Sequence, residues 1–109
     1  MRRITIGILG GDSAHQARLS ESITRPIRFP DGITRLITAR AVLWEALEEV
    51  QRSLDFTDEE FAATVFRHAV DDARRYSTLL EEEIQRGWTL SARVFWRCHI
   101  AGRGAAANA

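Results

Sequence analysis

Pro30-Asp31-Gly32 separates two short runs of extended character, and the second run passes directly into helical spacing. Proline presets φ, and Gly32 accepts the positive φ that a tight reversal needs. Arg25 to Phe29 precedes the turn. Ile33-Thr34-Arg35-Leu36-Ile37-Thr38-Ala39, rich in β-branched residues and partly alternating, follows it. Two such runs around a Pro-Asp-Gly turn predict a β-hairpin. A lone hairpin is marginal in water, so this one must pack on helices or pair with another chain.

From Ala41 the apolar residues fall at helical intervals: Val42, Leu43, Leu47 and Val50, with Trp44, through about Leu54. Thr57-Asp58-Glu59-Glu60 has the pattern of a capping box. The helix it opens is expected to run from Thr57 to Arg86, with Phe61, Val65, Phe66, Ala69, Val70, Ala73, Tyr76, Leu80 and Ile84 along one side. Gly87 would stop that helix at C′. Thr89 would cap a last helix carrying Leu90, Val94, Phe95 and Cys98 on one side and ending near Ile100. The expected fold is therefore mostly α with an N-terminal β-hairpin, an extended second helix and a C-terminal helix. Residues 1–24 read as a lead-in, flexible or with one strand at Ile4 to Leu9 that ends in Gly10-Gly11-Asp12. Residues 25–101 form the organised domain, and 102–109 a frayed tail of glycine and alanine.

A chain of 109 residues makes about one domain, and 45% hydrophobic with 28% charged residues is a globular composition. No run of about 18 uncharged apolar residues exists, so no membrane span is expected. Met1-Arg2-Arg3 and the apolar residues after it are too short for a signal peptide and lack a cleavage site. With a single cysteine, Cys98, this predicts a cytoplasmic protein without a disulfide framework. All fifteen basic residues are arginine, balanced by fifteen acids. Their distribution is uneven. Residues 1–40 carry seven arginines and three acids, residues 41–83 four and twelve, and residues 84–109 four and none. A protein that touches an anion with one face would show this pattern, and so would one whose segments pack by opposite charge.

The segment from Arg25 to Val50 resembles the ribbon-helix-helix proteins, in particular a short bacterial subgroup with a hairpin ahead of the first helix. The residues that carry the resemblance are Gly32 at the turn, the strand Ile33 to Ala39, and the helix Ala41-Val42-Leu43-Trp44-Glu45-Ala46-Leu47-Glu48-Glu49-Val50. Leu90-Ser91-Ala92-Arg93-Val94-Phe95 is similar to the ending of that subgroup, without its spacer residues. The resemblance implies a homodimer whose strands pair into a ribbon that enters the major groove of double-stranded DNA. The implied role is a transcriptional regulator or antitoxin-like repressor. The chain departs from the pattern in the length of its second helix and in its reading face, where the family carries long polar side chains.

Alternation turns Ile37 and Ala39 inward, which leaves Thr34, Leu36 and Thr38 outward as the candidate base-facing residues. Arg25, Arg28, Arg35 and Arg40 are the candidate phosphate contacts. Arg35 shares a face with Ile37 and would have to snorkel outward. Otherwise these arginines pair with Glu45, Glu48 and Glu49. A reading from another class is a protein-interaction module that dimerises through the ribbon and docks a partner on the long acidic helix, around Glu81-Glu82-Glu83. Gly7, Gly10 and Gly11 follow an apolar run but lack the βαβ context of a dinucleotide loop. His15, His68, His99 and Cys98 have no metal-ligand spacing, and no nucleophile, base and oxyanion set can be named. Neither a cofactor nor an enzymatic activity is expected. Trp44 and Trp96 read as core, and Trp88 fits either core or a stacking surface.

Overall fold

Pro30, Asp31 and Gly32 form a three-residue hairpin loop. Gly32 adopts φ of 83°. Its N–H donates to the Phe29 carbonyl at 2.9 Å, and the Phe29 N–H donates to the Ile33 carbonyl at 3.0 Å. A three-residue loop ending in a left-handed glycine suits the twist of the strands it joins. The computed structural model describes residues 18 and 20–108, with side chains to residue 103. In it, β1 (Ser22–Arg28) pairs antiparallel with β2 (Thr34–Arg40), Ser22 opposite Arg40 and Arg28 opposite Thr34. Three helices follow: α1 (Ala41–Leu54), α2 (Asp58–Tyr76) and α3 (Leu80–Asn108). The mostly helical architecture with an N-terminal hairpin is the one the periodicity predicts.

Along β2, Arg35, Ile37 and Ala39 are buried while Thr34, Leu36, Thr38 and Arg40 are exposed. The inner face lies on the helices, where Ile27, Phe29 and Ile37 join Trp44 and Leu47 of α1, Phe61 and Val65 of α2, and Ile84 and Trp88 of α3. Trp88 is the hub. Its ring centroid lies 4.8 Å from Phe61, 5.7 Å from Trp44 and 6.2 Å from Phe29. Trp44 is also core, with its Nε1–H donating to the Ile23 carbonyl at 2.9 Å. Trp96 is only half-buried. The helices of one chain thus cover the hairpin's apolar face, one of the two ways a marginal hairpin can be stabilised.

The capping box forms as expected: Thr57 Oγ1 accepts from the Glu60 N–H at 3.1 Å, and the Thr57 N–H donates to Glu60 Oε1 at 2.9 Å. The helix it opens does not reach Arg86. It ends at Tyr76, where Ser77 turns left-handed (φ 55°) and its N–H joins that of Thr78 on the Ala73 carbonyl. Tyr76, Leu80 and Ile84 keep a spacing of four across this break, so periodicity alone runs straight through it. Polar Ser77-Thr78 makes the turn, and Thr78 Oγ1 donates to the buried Glu83 carboxylate in the first turn of α3.

Gly87 and Thr89 are consequently not the stop and start expected of them. Both lie inside α3, which continues to Asn108 rather than ending near Ile100. On this helix Ile84, Trp88 and Ala92 are buried, while Leu90 and Val94 remain half exposed. Gly87 faces α2, and a Cβ there would stand 3.4 Å from Val65 Cγ1. Gly87→Ala is therefore expected to stabilise the protein by about 0.5 kcal/mol in urea unfolding, the helix-propensity gain less slight crowding. A glycine in a left-handed C′ position would give a loss instead. The strand reading of Ile4 to Leu9 and the glycine turn after it lie outside the described residues.

Candidate nucleic-acid interface

The outer face of the hairpin is built by register. Ser22, Thr24, Pro26 and Arg28 of β1 stand opposite Arg40, Thr38, Leu36 and Thr34 of β2, and all eight are exposed. Thr24 and Thr38 share a hydroxyl–hydroxyl hydrogen bond of 2.8 Å. Leu36, 65% exposed, lies across from Pro26 and gives the face an apolar centre. Thr34, Leu36 and Thr38 thus share the solvent-facing side that alternation assigned them.

The four arginines divide. Arg28 and Arg40 are exposed, and neither makes an ion pair among the described residues. They sit at opposite ends of the ribbon, about 20 Å apart for seven-residue strands. Arg25 is engaged: its Nη1 donates to Glu48 Oε2 at 2.7 Å, and its guanidinium lies 4.7 Å from the Trp44 ring centroid. Arg35 turns inward, contrary to its expected place on the phosphate-contacting surface. It donates through Nη1 and Nη2 to Asp31 at 3.0 and 2.8 Å, and through Nε and Nη2 to Glu81 at 2.8 and 3.0 Å. Phe29 and Phe66 flank the guanidinium at 5.2 and 5.8 Å. Hydrogen bonds from Arg35 hold the Asp31 carboxyl below its usual pKa, and Asp31, then Glu81, raise that of the guanidinium. With only 8% of its side chain exposed, Arg35 ties the hairpin turn to α3 and is not presented to solvent.

The outer edge of β2 is also occupied. The Phe29–Ile33 and Ala41–Glu21 bonds lie in step with the register. They make Ile23/Ala39, Arg25/Ile37 and Ile27/Arg35 the hydrogen-bonded pairs, because these alternate along an antiparallel ladder. The backbone groups of Leu36 and Thr38 therefore point away from β1, and Gln85 of α3 meets them. Its Nε2 donates to the Leu36 carbonyl at 2.7 Å, and its Oε1 accepts from the Thr38 N–H at 3.4 Å. On β1 the corresponding edge position holds Pro26, which has no N–H to offer. Nothing in the sequence marks Gln85, whose role comes only from where α3 places it.

The turn at Ser77 places Glu81, Glu82 and Glu83 on α3, apart from the acidic residues of α2. Glu81 is bound to Arg35, and Glu83, 5% exposed, is held by Thr78 and lies 3.4 Å from Arg86; Glu82 stays exposed. Glu49 is ringed by His99 at 3.0 Å and Arg103 at 2.8 Å. Among the described residues no group of three His, Cys, Asp or Glu could hold a metal, and no helix is long and apolar enough to cross a membrane. Comparison with protein-family models, curated proteins and solved structures finds no match to this chain.

Proposed function

We propose that the protein binds double-stranded DNA, as a regulator, by laying the outer face of the β1–β2 hairpin in the major groove. The observation that carries this reading is the composition of that face. Thr34, Leu36 and Thr38 lie in a row on it, and Arg28 and Arg40, which form no ion pair among the described residues, stand at its two ends. A two-stranded ribbon fits the groove. Threonine hydroxyls can bond to base edges, Leu36 can touch a thymine methyl, and the terminal arginines would reach phosphates on the groove walls. In this proposal the phosphate set is Arg28 and Arg40; Arg25 and Arg35 serve the fold.

A homodimer paired strand to strand through β2, as the ribbon-helix-helix resemblance implies, would require Gln85 to leave Leu36 and Thr38. The hairpin is therefore proposed to bind without that pairing. The protein-interaction reading has less to stand on, because Glu81 and Glu83 are already bound within the chain.

Arg28→Ala and Arg40→Ala are the direct test, since both side chains are exposed and neither loss should disturb the core. Each is expected to weaken duplex binding and to lower the slope of log affinity against log salt by about one, with an unchanged circular dichroism spectrum. Unchanged affinity in the double variant would contradict the proposal.

A further inference from the structure

Where the hairpin passes into α1, a cavity of about 410 Å³ opens between β2 and the middle of α3. Two arginines, Arg40 and Arg93, and three hydroxyl-bearing residues, Ser22, Thr38 and Thr89, are among the residues that line it, and no acidic residue does. Arg40 and Arg93 are exposed and form no ion pair among the described residues. The two arginines come from positions 53 residues apart in sequence, so the fold itself gathers them. Val42 and Leu43, in the first turn of α1, line the same cavity, and no side chain caps that helix. Two guanidinium-bearing residues beside hydroxyl-bearing ones supply the donor types that phosphate oxygens accept from, and the start of a helix adds a favourable dipole.

From this arrangement we propose that the cavity is a phosphate-binding site, with Arg40 and Arg93 as its two charged ligands. The inference rests in part on the DNA-binding reading, under which the phosphate belongs to the DNA backbone flanking the ribbon. A free phosphate or phosphomonoester offers the same chemistry. Thr38 belongs both to this cavity and to the ribbon's outer face, so a phosphate held here would lie beside the base-facing residues and fix how far the hairpin advances along the groove. Arg93 lies far outside the hairpin and was not among the sequence-based candidates; its position on the uniformly basic stretch after residue 84 was the only signal.

The test compares wild type, Arg93→Ala and Arg28→Ala, each confirmed folded by thermal melting. Inorganic phosphate is titrated into labelled protein while the Val42 and Leu43 amide resonances are followed, and duplex binding is measured by anisotropy across a salt series. The proposal predicts saturable phosphate-dependent shifts at Val42 and Leu43 that Arg93→Ala abolishes and Arg28→Ala leaves in place. If the phosphate is that of DNA, Arg93→Ala also weakens duplex binding and lowers its salt slope by about one. Phosphate-dependent shifts without duplex binding would support the site for free phosphate while overturning the DNA reading. Duplex binding that Arg28→Ala weakens and Arg93→Ala does not, with no shifts at Val42 and Leu43, would overturn the site and leave the DNA reading standing. Absence of both shifts and duplex binding would overturn the site as well.

Discussion

Arg35→Ala is expected to lower the unfolding free energy by about 3 kcal/mol, the lower end of the range for breaking a buried ion pair. The guanidinium is almost enclosed, but its partners differ in exposure: 26% for the Asp31 side chain and 67% for that of Glu81. Both carboxylates can recover some hydration once the arginine is gone, which keeps the loss from the upper end of the range. The aliphatic stem and the contacts with Phe29 and Phe66 go with the charge. Arg35→Met keeps much of the stem and is expected to lose less. Arg28→Ala, on the open face, should stay within about 0.5 kcal/mol of wild type. Urea midpoints at equal slope distinguish the three. The arginine also predicts an acid dependence. Because the folded Asp31 carboxyl titrates below its usual 3.8, the unfolded chain takes up that proton first. This contribution is fully present above about pH 5 and is lost as pH falls through the folded value. Arg35→Ala should flatten that part of the pH profile; an unaltered profile would place the pair outside the folding equilibrium.

Trp88→Ala should cost more, about 4 kcal/mol, and leave a protein that is partly unfolded at ambient temperature. Trp88 is fully buried and touches aromatic rings from β1's end of the hairpin, from α1 and from α2, so its removal opens the point where the elements meet. Trp88→Phe retains an aromatic body there and should lose roughly half as much, since less volume is emptied. Near-ultraviolet circular dichroism and the urea midpoint would report both. A native-like midpoint for the alanine variant would mean that the hub lies elsewhere.

The hairpin was legible because its determinants are local: a turn residue that tolerates positive φ, and alternation that fixes which side chains face inward. The same alternation put Arg35 beside Ile37, and the long aliphatic stem invited an outward path. Asp31, four residues earlier, and Glu81, 46 residues away, together hold it inward, and no local pattern encodes the second partner. The break at Ser77-Thr78 failed to show for a related reason, since the apolar spacing on either side stays in phase. Gly87 misled because a glycine after a helical run is more often a terminator than a close-packing point, and only the approach of Val65 explains it. At the interface, the outward residues of β2 could be read from the chain, whereas the engagement of Arg25 with Glu48, the bridging of β2 by Gln85 and the lining of one cavity by both Arg40 and Arg93 depend on tertiary placement.

One measurement bears most directly on the functional reading: fluorescence anisotropy of the wild-type protein on its own upstream DNA and on a scrambled duplex, at about 50 and about 200 mM salt. A ribbon face that reads the groove with Arg28 and Arg40 on phosphates predicts tighter binding to the upstream DNA at both salts, and a loss between them that follows the small number of charges involved. Absence of binding to either duplex at the lower salt would contradict the account.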